Sequence, residues 1–267
     1  MTSDEIVKIY VSKNLLIKAL TESKHYGAVS LPWTINRMQY DLTRRGFEKR
    51  LRNIVLGKLP EIFIREAFHR LNIPADFNKG STPYWQSDLF DLMICINGES
   101  EEWDIKSLNM DLEKVKTDEI VDLPVLVPNN YDMDQWAKRG KCAYSMSRRK
   151  RYLFTFLNSF GLNVPLSQEQ FQNFQKIVAN KAYYENQKDY ILRMIGPIEV
   201  TMDKNETYML ITGCAGPEEW QFFDDIPPGS KFLNGLFATR IKNKGCAVRD
   251  LPAARNLLRF DKKIFVL

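Results

Sequence analysis

Ser87-Asp-Leu-Phe-Asp-Leu-Met-Ile-Cys-Ile-Asn-Gly-Glu-Ser-Glu-Glu-Trp-Asp-Ile-Lys-Ser107 reads as two strands joined by a tight turn, with acids on both. Leu92 to Ile96 is a short apolar run, Asn97-Gly98 is a strong hairpin signal, and Trp103 to Leu108 alternates apolar with polar residues. With Asn97 and Gly98 at the centre of a type I′ turn, Asp91 falls directly across from Asp104. Side chains alternate along a strand, so Asp104 and Lys106 share one face while Trp103 and Ile105 point to the other, toward a core. A wider loop running through Glu101 would shift Asp91 toward Lys106 and keep it in the same neighbourhood.

Two carboxylates held together resist ionising unless a cation lies between them. Oxygen ligands in small number favour magnesium, which keeps several waters and accepts phosphate oxygens. An ammonium beside such a site orients or deprotonates a water and stabilises charge building on phosphate. Lys106 is placed to be that ammonium. Asp88 is the rival to Asp91; three positions apart on a strand, the two face opposite ways, and only one can join Asp104 and Lys106.

Asp91 followed by Asp104-Ile105-Lys106 resembles the pattern of the PD-(D/E)xK nuclease superfamily, the fold of many restriction endonucleases and DNA-repair nucleases. Phe90 stands where the name-giving proline would be. The family usually carries an acid on a helix before the hairpin, and Gly57-Lys-Leu-Pro-Glu61 supplies Glu61. The resemblance implies an α/β fold, restriction-endonuclease-like, with a mixed central β-sheet flanked by helices. It also implies that Asp91 and Asp104 hold Mg2+, that Glu61 supports it directly or through water, and that Lys106 positions the nucleophilic water. The expected activity is hydrolysis of phosphodiester bonds in double-stranded DNA. A chain of this size with no GxxxxGK[ST] sequence looks most like a Type II restriction endonuclease acting as a homodimer, because one site cuts one strand.

Bland alternatives exist for each element. Glu61, read as a first-turn residue of a helix starting near Pro60, is also a favourable partner of the helix dipole. The whole group also fits surface ion pairing on an edge hairpin. Against this, Asp104 and Lys106 interrupt an otherwise apolar central element, where charges are avoided unless paired or functional. Three rival classes remain: a repair, recombination or RNA-processing nuclease with the same site, a nucleic-acid-binding protein without chemistry, and an unrelated interaction protein.

Charge distribution fits a phosphate-binding surface around an acidic centre. Residues 1–60 hold 11 Lys and Arg against 5 Asp and Glu, residues 85–134 hold 3 against 13, and residues 138–151 hold 7 with no acid. Lys138-Arg-Gly-Lys141 and Arg148-Arg-Lys-Arg151 are the strongest candidates for backbone phosphate contacts. The net charge of +5 is otherwise modest. Trp33 and Tyr40 near Arg37 fit base stacking or, more simply, packing.

At 44% hydrophobic and 12% aromatic residues the chain is expected to fold around a substantial core rather than stay disordered. Its amino terminus lacks a basic region with an apolar signal core and no apolar run approaches membrane-spanning length, so a cytoplasmic protein is expected. Cys95, Cys142, Cys214 and Cys246 are scattered without a CxxC pair, which disfavours zinc ribbons and disulfide frameworks and reads as buried free thiols. With only His25 and His69, a histidine-based metal centre is hard to build.

The pattern divides into an N-terminal helical element (1–40), a nuclease core (41–161) and a helical plus β-rich C-terminal part (162–267) serving recognition or dimerisation. Helices are expected over Glu5 to Leu20, over Arg44 to Asn72 with an interruption near Gly57 to Pro60 and a new start around Leu59 or Pro60, over Asp111 to Val121, and over Gln168 to Met194 behind the Ser167 cap. Strands are expected at Ile73 to Phe77, Leu123 to Val127, Ile198 to Met202, Thr207 to Thr212, Trp220 to Phe223 and Leu236 to Ile241. Tyr152 to Leu157 fits a strand or the start of a buried helix.

Overall fold

A computed structural model describes residues 1–35, 41–86, 90–128, 150–158, 161–202, 207–232, 235 and 237–267. The strands are β1 (Val7–Val11), β2 (Ala75–Asp76), β3 (Leu92–Ile96), β4 (Glu99–Asn109), β5 (Pro124–Pro128), β6 (Lys150–Asn158), β7 (Thr207–Ala215), β8 (Asp224–Ile226), β9 (Lys231–Phe232), β10 (Phe237–Ala238), β11 (Asn243–Ala247) and β12 (Ile264–Val266). The helices are α1 (Lys13–Thr34), α2 (Arg44–Arg70), α3 (Gln168–Ala179), α4 (Lys181–Tyr184), α5 (Lys188–Ile195) and α6 (Ala254–Leu257).

A mixed α/β architecture results. Seven strands form the main sheet in the order β12-β1-β7-β6-β4-β3-β2, which draws on all three stretches delimited above. β4 and β6 run parallel, as do β1 and β12; the other neighbours are antiparallel. Alternation along the central strands separates two cores. Leu153 and Leu157 of β6, Met209 and Ile211 of β7, and Trp103 and Ile105 of β4 face the main core, which α1, α2, α3 and α5 cover. Tyr152, Phe154 and Phe156, with Tyr208 and Leu210, face a smaller core closed by β5, two 3-10 turns and Trp220. A second sheet, β5-β11-β8, lies on that side.

Several expectations change. Val7–Val11 is a strand, not helix, because its period-two pattern puts Val7 and Ile9 into the main core beside β7. No new helix starts near Pro60: α2 is continuous from its Thr43 cap, and Pro60 sits inside it. A mid-helix proline forfeits one backbone bond, yet Leu51, Val55, Leu59, Phe63 and Ala67 bury one stripe on both sides of it, and the shared burial outweighs the loss. Asp111 to Val121 makes two 3-10 turns, Leu112–Lys114 and Thr117–Asp122, whose apolar residues plug the smaller core without a helical stripe. Trp220 likewise sits in a 3-10 turn, Glu219–Phe222. Ile198 to Met202 contributes only the isolated bridge of Thr201 to Asn163. Cys95 is exposed, whereas Cys214 is buried; Cys142 lies outside the described residues. No helix among the described residues is long and apolar enough to cross a membrane.

Candidate active site

The hairpin forms in the tight register. Asn97 (φ 52°) and Gly98 (φ 82°) both adopt left-handed backbone, as a type I′ turn requires, and Leu92 pairs with Trp103. The Asp91 amide still donates to the Trp103 carbonyl at 2.9 Å, but β3 begins only at Leu92. Beyond that point the strands fork. The next β4 amide facing this side, that of Ile105, donates instead to Asp91 Oδ2 at 2.6 Å. A carboxylate thus replaces the missing backbone acceptor, and it is held against the peptide that joins Asp104 to Ile105.

Asp104 and Lys106 take the face opposite Trp103 and Ile105, as alternation demands. Their parallel neighbours on β6 are Tyr152 and Phe154. Asp104 is only 4% exposed, and Lys106 Nζ lies 3.8 Å from Asp104 Oδ2 and 5.8 Å from the centre of the Tyr152 ring. A carboxylate this deep is costly unless paired, and the lysine offsets part of that cost.

Glu61 projects from the middle of α2, not from a first turn, so the helix-dipole explanation for it lapses. Lys58, three residues earlier on the same helix face, forms a short ion pair with Glu61 Oε2. Burial alone would depress the Lys58 pKa; the Glu61 carboxylate, helped by Tyr26 and by Asp91, holds it above the ordinary lysine range. Lys58, Glu61, Phe90 and Asp91 line one small cavity of about 30 Å³, room for a water or two.

Asp91 is therefore the joint between two groups. It shares the cavity with Glu61 and Lys58 on the face that α2 covers, and its carboxylate rests on the Ile105 amide, whereas Asp104 and Lys106 lie on the opposite face, where Lys106 lines a separate cavity with Val125 and Phe154. Among the described residues, no three His, Cys, Asp or Glu side chains stand close enough together to hold a metal ion. Glu61 and Asp91, the two carboxylates that share a cavity, are too few for a closed protein cage, so an ion seated there would have to keep most of its hydration shell. Asp88, the basic cluster at 138–141 and Arg148 and Arg149 of the second cluster lie outside the described residues, as do Arg37 and Tyr40; Arg151, at the start of β6, instead pairs with Glu101 at 3.0 Å and with Glu219. Trp33 is buried and packs edge-on against Tyr84, with ring centres 5.1 Å apart.

Lys58 is the participant that sequence reasoning overlooked. Its signal was a lysine three positions before an acid on a helical stretch. No family model matches the chain, and no curated protein or solved structure matches it significantly.

Proposed function

We propose that this chain is a magnesium-dependent DNA endonuclease with a PD-(D/E)xK-type site on a restriction-endonuclease-like fold. The observation that carries the reading is the fork of the hairpin. There an acid at the end of one strand grips the amide inside Asp104-Ile105-Lys106 and meets an acid from the preceding helix. Helix, hairpin and mixed sheet follow one another in the order that the resemblance implies.

In this reading Asp91 and Asp104 would hold Mg2+ and Glu61 would support it through water, which requires the ion to reach Asp104 around the forked strand end, since Asp104 takes the face opposite α2. When bound, the ion supplies Lewis-acid stabilisation of phosphate charge. Lys58 pairs with the Glu61 carboxylate beside the cavity, which fixes the acid in place before substrate arrives. Lys106, tethered to Asp104, would orient the attacking water and stabilise charge building on phosphate. The finer reading is a Type II restriction enzyme acting as a cytoplasmic homodimer on duplex DNA.

A repair-type nuclease acting on partly unpaired DNA is the second reading, favoured by a cleft with aromatic and cationic walls next to Asp91. Digestion of a defined duplex with magnesium, with calcium and with chelator tests the proposal. Magnesium-dependent cleavage that disappears in Asp104→Ala and Lys106→Ala, with DNA binding retained, is expected. Discrete fragments identify a restriction enzyme, and cleavage only near unpaired stretches identifies the second class. Full cleavage by either variant rejects the site.

A further inference from the structure

Next to the small cavity at Asp91 lies a larger cleft of about 540 Å³, sharing Lys58, Arg65, Phe77 and Ser81 with it. His25 and Tyr26 of α1, Lys58 and Arg65 of α2, Tyr84 of the connection before the hairpin, and Lys188 at the start of α5 converge on this space. Such a volume encloses one small molecule and is too small for a duplex.

The walls are held in place. The Tyr84 hydroxyl donates to the Tyr184 carbonyl at 2.7 Å and accepts from the Gln187 amide at 3.1 Å, and its ring is braced edge-on by Trp33 and by Trp85. Glu22 grips Arg65 through both terminal nitrogens, at 2.9 and 2.6 Å, which fixes the guanidinium while leaving further N–H donors on it. Lys58 lies over the Tyr26 ring, 4.7 Å from its centre. Glu22 is the single acid among the residues lining the cleft, against Lys58, Arg65 and Lys188. Outside the cleft the aromatic surface continues: Tyr184 and Tyr190 stack with ring planes 18° apart, and Tyr183 is 66% exposed.

Rigid aromatic faces interleaved with cations are what an unpaired nucleotide needs. Its base stacks on an aromatic ring whatever its identity, and its phosphate is neutralised by lysine or arginine. We infer that this cleft seats one unpaired nucleotide of the substrate strand, stacked against Tyr84 or Tyr26 and held by Arg65 and Lys188, adjoining the phosphodiester presented to Asp91. The cleft's relevance to cleavage rests on the nuclease reading. Its binding of single strands does not, and the two separate experimentally.

The test is fluorescence anisotropy of a short labelled oligothymidylate and of a blunt duplex of equal length, using the full chain in chelator, so that no cleavage occurs. The oligothymidylate is expected to bind, with Lys188→Glu and Tyr26→Ala each weakening it about tenfold. Lys263→Glu, remote from the cleft and paired with Asp4, should weaken it less than about twofold, the effect of bulk charge alone. Lys188 sits on a surface helix, so its variant is expected to fold; circular dichroism confirms this before binding is read. An oligothymidylate that does not bind, or that binds Lys188→Glu and Tyr26→Ala as well as the parent, overturns the inference whatever the outcome of the cleavage assay. Selective weakening in both variants upholds it even in a protein that cuts no DNA.

Discussion

Asp91 spends one carboxylate oxygen on the Ile105 amide and faces the cavity it shares with Glu61. Asparagine in its place keeps an oxygen acceptor but loses the charge. Asp91→Asn is therefore expected to melt close to the parent while losing cleavage by about a hundredfold or more, and Asp91→Ala to lose about 1–3 kcal/mol of stability as well, because it strands a backbone donor. Thermal melts and single-turnover cleavage read the two effects separately. The Asp104 and Lys106 pair predicts an asymmetry. Lys106→Ala leaves a buried carboxylate with one cation fewer, so it should lower the urea midpoint more than Asp104→Asn, which removes the buried charge itself. Glu22 adds a dependence on acid. Its hydrogen bond to Arg65 holds its carboxyl below the ordinary value of 4.5, so the pair's contribution is present above that value and is lost as pH falls through the lowered one. Arg65→Met should flatten the loss of stability below about pH 4.5, by at most about 1 kcal/mol because both side chains are more than a third exposed.

The hairpin was legible because its signals are local: Asn-Gly at the turn and alternation along β4 settle the register without reference to anything else. Ser167 was legible for the same reason, and its side chain and that of Gln170 form a reciprocal cap on α3. The path through Pro60 was not, since the burial that carries α2 across it depends on a sheet folded from later residues. The turns at 112–122 were hidden likewise, because a core fed by single apolar residues from many segments leaves no periodicity in any of them. Of the candidate site, the proposed acids and Lys106 are named from spacing, whereas the closeness of Lys58 to Asp91 emerges only when helix and hairpin meet. Two glycines test how firmly these elements hold the site. At Gly98 a methyl group meets open space, so Gly98→Ala should cost only the left-handed backbone strain, about 1 kcal/mol. At Gly80 a Cβ would overlap the carbonyl and ring of Phe90, directly before Asp91. Gly80→Ala should cost about 1–3 kcal/mol and displace the carboxylate, so cleavage should fall further than its melting shift alone explains.

In the nuclease reading the hairpin supplies one D…DxK site, and one such site cuts one strand. Cleavage of both strands at one place is most simply achieved by two copies about a twofold axis. With the restriction-type reading, light scattering should show a dimer on cleavable duplex in calcium, with the β-rich C-terminal part or the N-terminal helices as the contact. A strict monomer that leaves only nicks would point to the repair-type reading. The sheet has a consequence of another kind. β1 lies between β7 and β12, so Val7–Val11 finds its first strand partner some two hundred residues later and its second near residue 264. During translation, α1 and α2 can pair as soon as they leave the ribosome, but the strand ahead of them must wait with its apolar side uncovered through most of synthesis. Contacts this distant slow folding and leave sticky edges exposed. A nascent chain stalled before residue 207 should accordingly bind chaperones and resist native-like protection of residues 7–11, which amide exchange on arrested ribosomes would detect.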